Sequence, residues 1–403
     1  MDWDVVLGTA LVDMYVKCGV IAKAQEVLEE LLVRDLVSWN SLIGGYTELG
    51  RGHEALNCFE QMQSEGLTPD GVTFTHILRA CSCIDAIEKG KQIHDEIVSR
   101  GLLIKNIALG TALVDMYAKC GMLVKAEKVL KELPIRGVIT WNALIAGHVQ
   151  FELGHAALKC VEQMQTEGLS PNAVTFICIL KACGSIGAIG KGKQIHEEIV
   201  SKGILGEYFE LSNALVDMYA KCGVLAKAQE VLDELDIRVV ISWNALIAGY
   251  AQQGKVHEAL CCFEEMQIEG LSPDEVTVLC VMNACSHSGI VNEARILFGN
   301  MTMEYGITPN IEHFTCMVTI LAHAGLFNEA ISVIQVMPSL EFPEVWLALL
   351  GACRKWGNMN LGRLAFDQVI QLDTRVASAY TLMANIFTAA GMQEMQRGLK
   401  PCG

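Results

Sequence analysis

The sequence holds no apolar run of the length that spans a bilayer, and Met1–Gln25 lack both a signal-peptide core and an Arg/Ser-rich, acid-poor transit segment. No membrane partner is expected, and the chain as given carries no address. CxxC occurs nowhere, which removes the usual zinc site and the thioredoxin-type redox motif. There is no Walker-type phosphate loop, dinucleotide fingerprint or nucleophile elbow, so neither a cofactor nor an enzymatic activity is expected. No Pro/Ser-rich linker or charge block divides the chain. Basic residues are scarce: 30 Lys and Arg stand against 46 Asp and Glu, a net charge of −16. That balance counts against a nucleic-acid partner, which draws on a surplus of cations, unless basic groups gather on one face and acids on another.

What is present is ample apolar material. With 403 residues and 52% hydrophobic composition the chain can bury a sizeable core. Its 16 cysteines include Cys18, Cys120 and Cys222 at one recurring position, and the others fall mostly at apolar helix positions. Cysteine is therefore read as core material in a reducing compartment.

The dominant feature is repetition. Leu11-Val12-Asp13-Met14-Tyr15 returns at Leu113 to Tyr117 and at Leu215 to Tyr219, an offset of 102 both times. The same offset relates Ser38-Trp39-Asn40 to Thr140-Trp141-Asn142 and Ser242-Trp243-Asn244, and Glu65-Gly66-Leu67 to its copies at Glu167 and Glu269. Lys89-Gly90-Lys91-Gln92-Ile93-His94 recurs at Lys191 to His196.

Each block holds three units, 5–35, 36–70 and 71–106, and each unit reads as a helical hairpin. In the middle one Trp39, Leu42, Ile43 and Tyr46 lie at helical spacing, Gly50 breaks the chain, and Ala55, Leu56, Phe59 and Met62 form a second stripe. Gly66-Leu67-Thr68-Pro69-Asp70 turns into the next unit. A lone hairpin cannot bury both stripes, so neighbours must stack. The expected fold is all-α, a right-handed α-solenoid of tandem helix-turn-helix repeats. Ten units are expected over 5–342, the later ones being 107–137, 138–172, 173–208, 209–239, 240–274, 275–310 and 311–342. Residues 1–4 read as the remnant of a preceding repeat. Residues 343–403 read as helical extension motifs, the second apparently cut short, with N-terminal and C-terminal portions of a longer protein expected to be missing.

Tetratricopeptide repeats have a constant period of 34; units of 31, 35 and 36 residues do not fit it. These lengths, with W-N-A-L-I-A-G, G-L-x-P-D/N-x-V-T-F, L-V-D-M-Y-x-K-C-G and K-G-K-Q-I-H, resemble pentatricopeptide repeat proteins of the plant type that mixes standard, long and short motifs. The resemblance spans residues 4–395. Val276-Thr277, Ala284 to Gly289, Tyr305-Gly306-Ile307, Glu312-His313-Phe314 and Met337-Pro338 are similar to the last long and short motifs of such arrays. Val345-Trp346, Leu349 to Arg354, Gly357-Asn358 and Ala384-Asn385-Ile386 are similar to the extension motifs that follow them.

The resemblance implies binding of single-stranded RNA in a mitochondrion or chloroplast, as a specificity factor for RNA processing or C-to-U editing. It implies one base per unit, read by the fifth and the last residue of the unit. Those pairs are Thr9/Asp35, Asn40/Asp70, Thr75/Asn106, Thr111/Gly137, Asn142/Asn172, Ile177/Tyr208, Asn213/Val239, Asn244/Asp274, Leu279/Asn310 and Thr315/Phe342. An Asp carboxylate only accepts, which suits the ring N–H of uracil or guanine; an Asn amide also donates, which suits cytosine or adenine. The resemblance adds Thr for purine and Asn for pyrimidine at the fifth position. The expected core is 5′-G-U-n-n-C/U-n-n-U, with Thr75/Asn106 weakly favouring A at the first open position. Ile177/Tyr208, Leu279 and Phe342 depart from the family pattern, and Gly137 and Val239 offer no side-chain hydrogen bond. Lys17, Lys119 and Lys221, thirteenth in their units, are candidates to face phosphates. Their alternative is a solvated Lys at a helix C-terminus, and the alternative for Asn40, Asn142 and Asn244 is a helix N-cap.

His94-Asp95-Glu96 and His196-Glu197-Glu198 satisfy H-x-E, which in zinc deaminases supplies a ligand and the general acid/base. No P-C-x-x-C follows, Pro401-Cys402-Gly403 cannot complete one, and both tripeptides read as structural. The chain stops before the deaminase domain with closing Asp-Tyr-Trp that many relatives carry, so either that domain belongs to a missing C-terminal portion or a deaminase or other editing factor acts in trans through the extension. Two rival readings stand beside RNA binding: a protein-interaction solenoid, for which the acidic charge speaks, and a fragmentary product that folds without a role.

Overall fold

The computed structural model describes residues 5–104, 106–205, 208–235, 237–339 and 341–389, the side chains of Ile104 and His287 aside. The expected remnant at 1–4 and the end of the second extension motif at 390–403 lie outside the described residues. The chain forms two compact units, 1–211 and 212–403. Among the described residues there is no strand.

The first unit contains α1 (Val5–Lys17), α2 (Ile21–Glu30), α3 (Leu36–Glu48), α4 (Gly52–Ser64), α5 (Gly71–Cys83), α6 (Ile87–Ser99), a 3₁₀ turn at Leu102–Ile104, α7 (Ile107–Lys119), α8 (Leu123–Glu132), α9 (Val138–Gln150), α10 (Gly154–Thr166), α11 (Ala173–Ile186) and α12 (Ile189–Ser201). The boundary with the second unit falls in α13 (Phe209–Lys221). The second unit continues with α14 (Leu225–Asp233), α15 (Val240–Gln252), α16 (Val256–Ile268), α17 (Glu275–Ser288), α18 (Val291–Met303), α19 (Ile311–His323) and α20 (Phe327–Gln335). Three helices of the C-terminal region follow: α21 (Pro343–Trp356), α22 (Met359–Leu372) and α23 (Ala377–Ala389).

In each unit the helices of the hairpins pack by one rule. First helices stack directly on first helices, α1 to α3 to α5 to α7 to α9 to α11 in one unit and α15 to α17 to α19 to α21 in the other. Second helices pack against their own first helix and the next one. The first helices thus form a layer of their own. Its apolar side is filled by Trp39, Leu42 and Ile43 with their counterparts Trp141, Leu144 and Ile145, and Trp243, Leu246 and Ile247, all buried. Ala55, Phe59 and Met62 close the same core from α4. Each buried Leu or Ile contributes roughly 1.5–3 kcal/mol. Contact between layer members is close: a Cβ on Gly147 would lie 2.6 Å from that of Ala118, so no larger residue fits there.

The buried indole of each tryptophan is satisfied in the same way three times. Trp39, Trp141 and Trp243 donate Nε1 to Glu65 (3.0 Å), Glu167 (3.0 Å) and Glu269 (3.2 Å), and Arg34, Arg136 and Arg238 close on the same carboxylates. His94 of the H-x-E tripeptide is likewise structural, buried with Nδ1 2.9 Å from the Tyr117 hydroxyl.

Cysteine corrects the expectation in part. Cys18 is exposed, and Cys120 and Cys222 are half-buried at helix ends, so this recurring position is not core. Cys58, Cys160 and Cys262 are buried, and burial pushes their thiols up to about 12.

The copies differ informatively at one buried site. Tyr46 donates its hydroxyl to Gln25, whereas the equivalent pair in the next block is His148 and Glu127. His148 Nε2 lies 3.3 Å from Glu127 Oε1, an ion pair only when the ring is protonated, and Nδ1 is buried without a partner. Burial lowers the His148 pKa, against the opposing pull of Glu127. A folded pKa below the unfolded value of about 6.5 means stability is complete above that pH and declines as pH falls below it. The double variant His148→Tyr, Glu127→Gln, which restores the first block's pair, should gain about 1 kcal/mol at pH 7 and lose less stability between pH 6.5 and 5 in urea titrations. Glu152 is a second such site: its φ is +58°, where the other blocks have Gly50 (+70°) and Gly254 (+68°). Glu152→Gly should raise stability by about 1 kcal/mol in the same assay.

Candidate nucleic-acid interface

Nine of the ten unit-closing residues occupy one structural role. Asp35, Asp70, Asn106, Gly137, Asn172, Val239, Asp274, Asn310 and Phe342 are the N-caps of α3, α5, α7, α9, α11, α15, α17, α19 and α21. Asp35, Asp70, Asn172, Asp274 and Asn310 make full capping boxes with the third helical residue. Asn106 caps through Leu109 N alone, and Gly137, Val239 and Phe342 give no side-chain cap. Asn40, Asn142 and Asn244 are therefore not N-caps, the alternative considered for them; they stand at the fifth position of α3, α9 and α15, one hairpin before the cap they face.

There they complete a four-group network. Asn40 Nδ2 donates to Asp70 Oδ1 at 3.2 Å, and Asn40 Oδ1 accepts from the Thr73 hydroxyl at 2.7 Å. Asp70 Oδ1 also accepts from Thr73 N at 2.8 Å and lies 2.8 Å from Thr73 Oγ1, whose single proton it shares with Asn40 Oδ1. Asn244, Asp274 and Thr277 repeat this at 2.9, 2.6, 2.8 and 2.8 Å. Asn142, Asn172 and Thr175 do so at 3.0, 2.7, 3.0 and 3.0 Å. Two donors, the asparagine amide and the backbone N–H of the third helical residue, converge on one oxygen of the closing residue, with the single threonine hydroxyl proton shared between that oxygen and the asparagine Oδ1; this also fixes the orientation of the Asn172 amide. What stays outside the network differs in kind: for Asp70 and Asp274 it is Oδ2, an acceptor, and for Asn172 it is Nδ2, a donor. Burial would push the Asp70 and Asp274 carboxyls up, but the hydrogen bonds from Thr73 and Asn40, or Thr277 and Asn244, outweigh it and hold both below the usual carboxylate range. Both are ionised at neutral pH.

The remaining pairs are less regular. Thr9 Oγ1 reaches Asp35 Oδ1 at 3.4 Å. Thr75 and Thr315 donate back to the carbonyls of Gly71 and Ile311 in their own helices. Where the cap side chain is missing, the third-residue hydroxyl turns to the preceding unit instead: Thr140 meets Thr111 at 2.7 Å, and Ser242 donates to Asn213. Asn310 Oδ1 takes His313 Nδ1 at 2.6 Å along with the backbone of Glu312 and His313.

Some members of these pairs line a trough, Asn142 of the three networks among them. In the first unit a groove of about 1030 Å³ is lined by Thr75, Arg79, Thr111, Gly137, Thr140 and Asn142 among others, all from first helices or their caps. The second unit has one of about 610 Å³ lined by Leu279, Thr315 and Phe342. Ile139 and Val174 also line the first groove, and they belong to a recurring set that the sequence reading missed. Val6, Val37, Val72, Ile139, Val174, Ile241 and Val276 are second residues of their helices and 52–75% exposed. Their recurrence at offset 102, off the buried stripe, was the available signal.

Charge is not segregated as expected. Lys17, Lys119 and Lys221 end α1, α7 and α13, and each is held by the aspartate one turn earlier: Asp13 (2.6 Å), Asp115 (2.9 Å) and Asp217 (2.8 Å). Asp115 and Lys119 line the same groove. Acids and bases interleave on this face.

The network makes a stability prediction. Thr73→Val removes the cap hydroxyl and leaves buried Asn40 Oδ1 without a donor, and should cost about 2 kcal/mol by urea denaturation; Thr73→Ser, which keeps the hydroxyl, should cost less than half of that.

Models of the PPR repeat family match residues 34–83, 136–185 and 238–287, and those of the PPR repeat match 111–138, 211–237 and 312–342. The chain is 37% identical over 405 residues to the chloroplastic pentatricopeptide repeat-containing protein CRR2 of Arabidopsis thaliana, covering 99% of this chain and 61% of that one. It is 34% identical to a mitochondrial pentatricopeptide repeat-containing protein of the same plant, covering 98% of this chain and 71% of that one. For another mitochondrial relative the share is 46%, so the chain spans less than two thirds of the length of several relatives. Among solved structures, the pentatricopeptide repeat protein PPR10 in complex with an 18-nt psaJ RNA element superposes with a TM-score of 0.75 at 18% identity, over 98% of this chain and 60% of that one, which shows the shared solenoid fold. The chain is a member of the pentatricopeptide repeat family.

Proposed function

We propose that the protein binds single-stranded RNA and reads it one base per hairpin, as a specificity factor for organellar RNA processing, C-to-U editing in particular. The observation that carries this reading is the contrast between Asp70 and Asp274 on one side and Asn172 on the other: the asparagine amide and the backbone N–H occupy Oδ1 in all three, and the second polar atom is an acceptor in two units and a donor in the third. A free carboxylate oxygen takes the N3–H of uracil; a free amide N–H donates to the N3 of cytosine. The exposed Val and Ile at the second helical position lie beside the caps and supply apolar contact for the faces of a base. The PPR10 complex with RNA and the chloroplastic and mitochondrial names of relatives support the partner class and an organellar setting.

The core sequence is 5′-G-U-n-n-C/U-n-n-U, from Thr9/Asp35, Asn40/Asp70, Asn142/Asn172 and Asn244/Asp274. Thr75/Asn106, Thr111, Asn213, Asn310 and Thr315 contribute weaker selection, since their side chains are bonded within the protein or lack a polar partner. Chemistry on the RNA would be supplied in trans by a deaminase or other editing factor engaging the C-terminal extension. The acidic net charge favours the rival reading, a protein-interaction solenoid.

Fluorescence anisotropy separates the two. Asp70→Asn should shift preference from U to C at the second base about tenfold, equivalent to about 1.4 kcal/mol, and Asp274→Asn should do the same at the eighth. Preference should persist from pH 8 to 5.5, because both carboxyls are held ionised. Absence of binding to any RNA would favour the protein-interaction reading.

A further inference from the structure

On the groove side of each first helix the fifth, ninth and thirteenth residues follow at intervals of one turn, about 6 Å apart along the axis. The short units place Thr9-Asp13-Lys17, Thr111-Asp115-Lys119 and Asn213-Asp217-Lys221 there, and the aspartate pairs with the lysine each time. An exposed pair of this kind adds little stability, but a phosphate approaching the lysine meets the aspartate at nearly the same distance, so the pair's net attraction is close to nil. The long units are built differently. Their stripes are Thr75-Arg79-Cys83 and Ile177-Lys181-Ser185, with the cation at the ninth position and no acid beside it on the helix. Arg79 and Lys181 are exposed, and among the described residues neither side chain has a hydrogen bond or ion pair; Arg79 lines the groove beside Thr75 and Thr111. The third long unit has Asn283 at this place.

We propose that Arg79 and Lys181, not the thirteenth-position lysines, are the residues through which the first unit holds the RNA phosphates. They provide a backbone contact every third hairpin, one turn beyond the base-reading position. The assignment rests on the RNA-binding reading. Glu48, thirteenth in α3, also lines the groove and opposes Arg79, as Asp115 opposes Lys119. Removing either acid should therefore strengthen phosphate binding.

The test is the salt dependence of binding of the full chain to fluorescein-labelled GUAACAAUAA RNA. Each lost phosphate contact on a single strand lowers the slope of log K against log salt by about 0.7. Arg79→Gln with Lys181→Gln should lower it by about 1.4, and the triple variant of Lys17, Lys119 and Lys221 to Gln by less than that. Asp115→Asn and Glu48→Gln should tighten binding several-fold. Circular dichroism checks that the variants fold, which the exposure of the replaced side chains favours. An unchanged slope in the Arg79/Lys181 variant, or a larger drop in the lysine triple, would overturn the assignment while leaving RNA binding intact. A wild-type chain that binds no RNA at low salt would overturn the RNA-binding reading itself, and this assignment with it.

Discussion

One hydrogen bond organises this protein: the one a unit-closing Asp or Asn accepts from the backbone of the third residue in the next helix. It starts the helix, contributing about 1 kcal/mol as a cap, and it fixes the side chain that makes it. Because Oδ1 of Asp70, Asn172 or Asp274 is held by Thr73, Thr175 or Thr277 and by an asparagine from the preceding hairpin, the other polar atom of the group is held in place too. A cap that stabilises the fold and a hydrogen-bonding group with a defined identity are the same atoms. That economy explains why polar residues recur at hairpin junctions of a chain whose first helices are otherwise apolar. It also explains the units where the device fails: Gly137 and Val239 offer nothing to cap with, and the local hydroxyls of Thr140 and Ser242 turn to Thr111 and Asn213 instead.

Much of this was legible in the sequence, for a physical reason. A block repeated at offset 102 displays the buried stripe three times, so Trp39, Leu42 and Ile43 could be separated from variable surface without a structure. The partners Asn40 and Asp70 were legible as a pair through the family resemblance. Their mutual bond was not, because it joins different hairpins across 30 residues of chain. Nor was the identity of the third member, Thr73, whose hydroxyl links the two. Cys18, Cys120 and Cys222 misled because recurrence marks a shared environment without saying that the environment is buried. The exposed valines were missed for the converse reason: an apolar residue beside a helix start was absorbed into the core pattern.

The acidic surplus takes on a different meaning once placed. Acids are not gathered away from the groove but enter it, Asp115 paired with Lys119 and Glu48 beside them, which lowers the non-specific attraction that a cationic groove would have for any RNA. A protein of net charge −16 that binds nucleic acid must lean more on the groups proposed to read the bases, and here buried Asn40, Asn142 and Asn244 hold the more exposed Asp70, Asn172 and Asp274 in place. The irregular sites in the first unit, buried His148 with Nδ1 unpartnered and Glu152 at positive φ, lie away from these groups.

The most direct measurement of the central claim is selection from a random RNA library on the purified chain, followed by sequencing. The account predicts enriched pyrimidines at three-base spacing, U then C or U then U, preceded by G. Enrichment without that spacing, or of purines at those places, would contradict it.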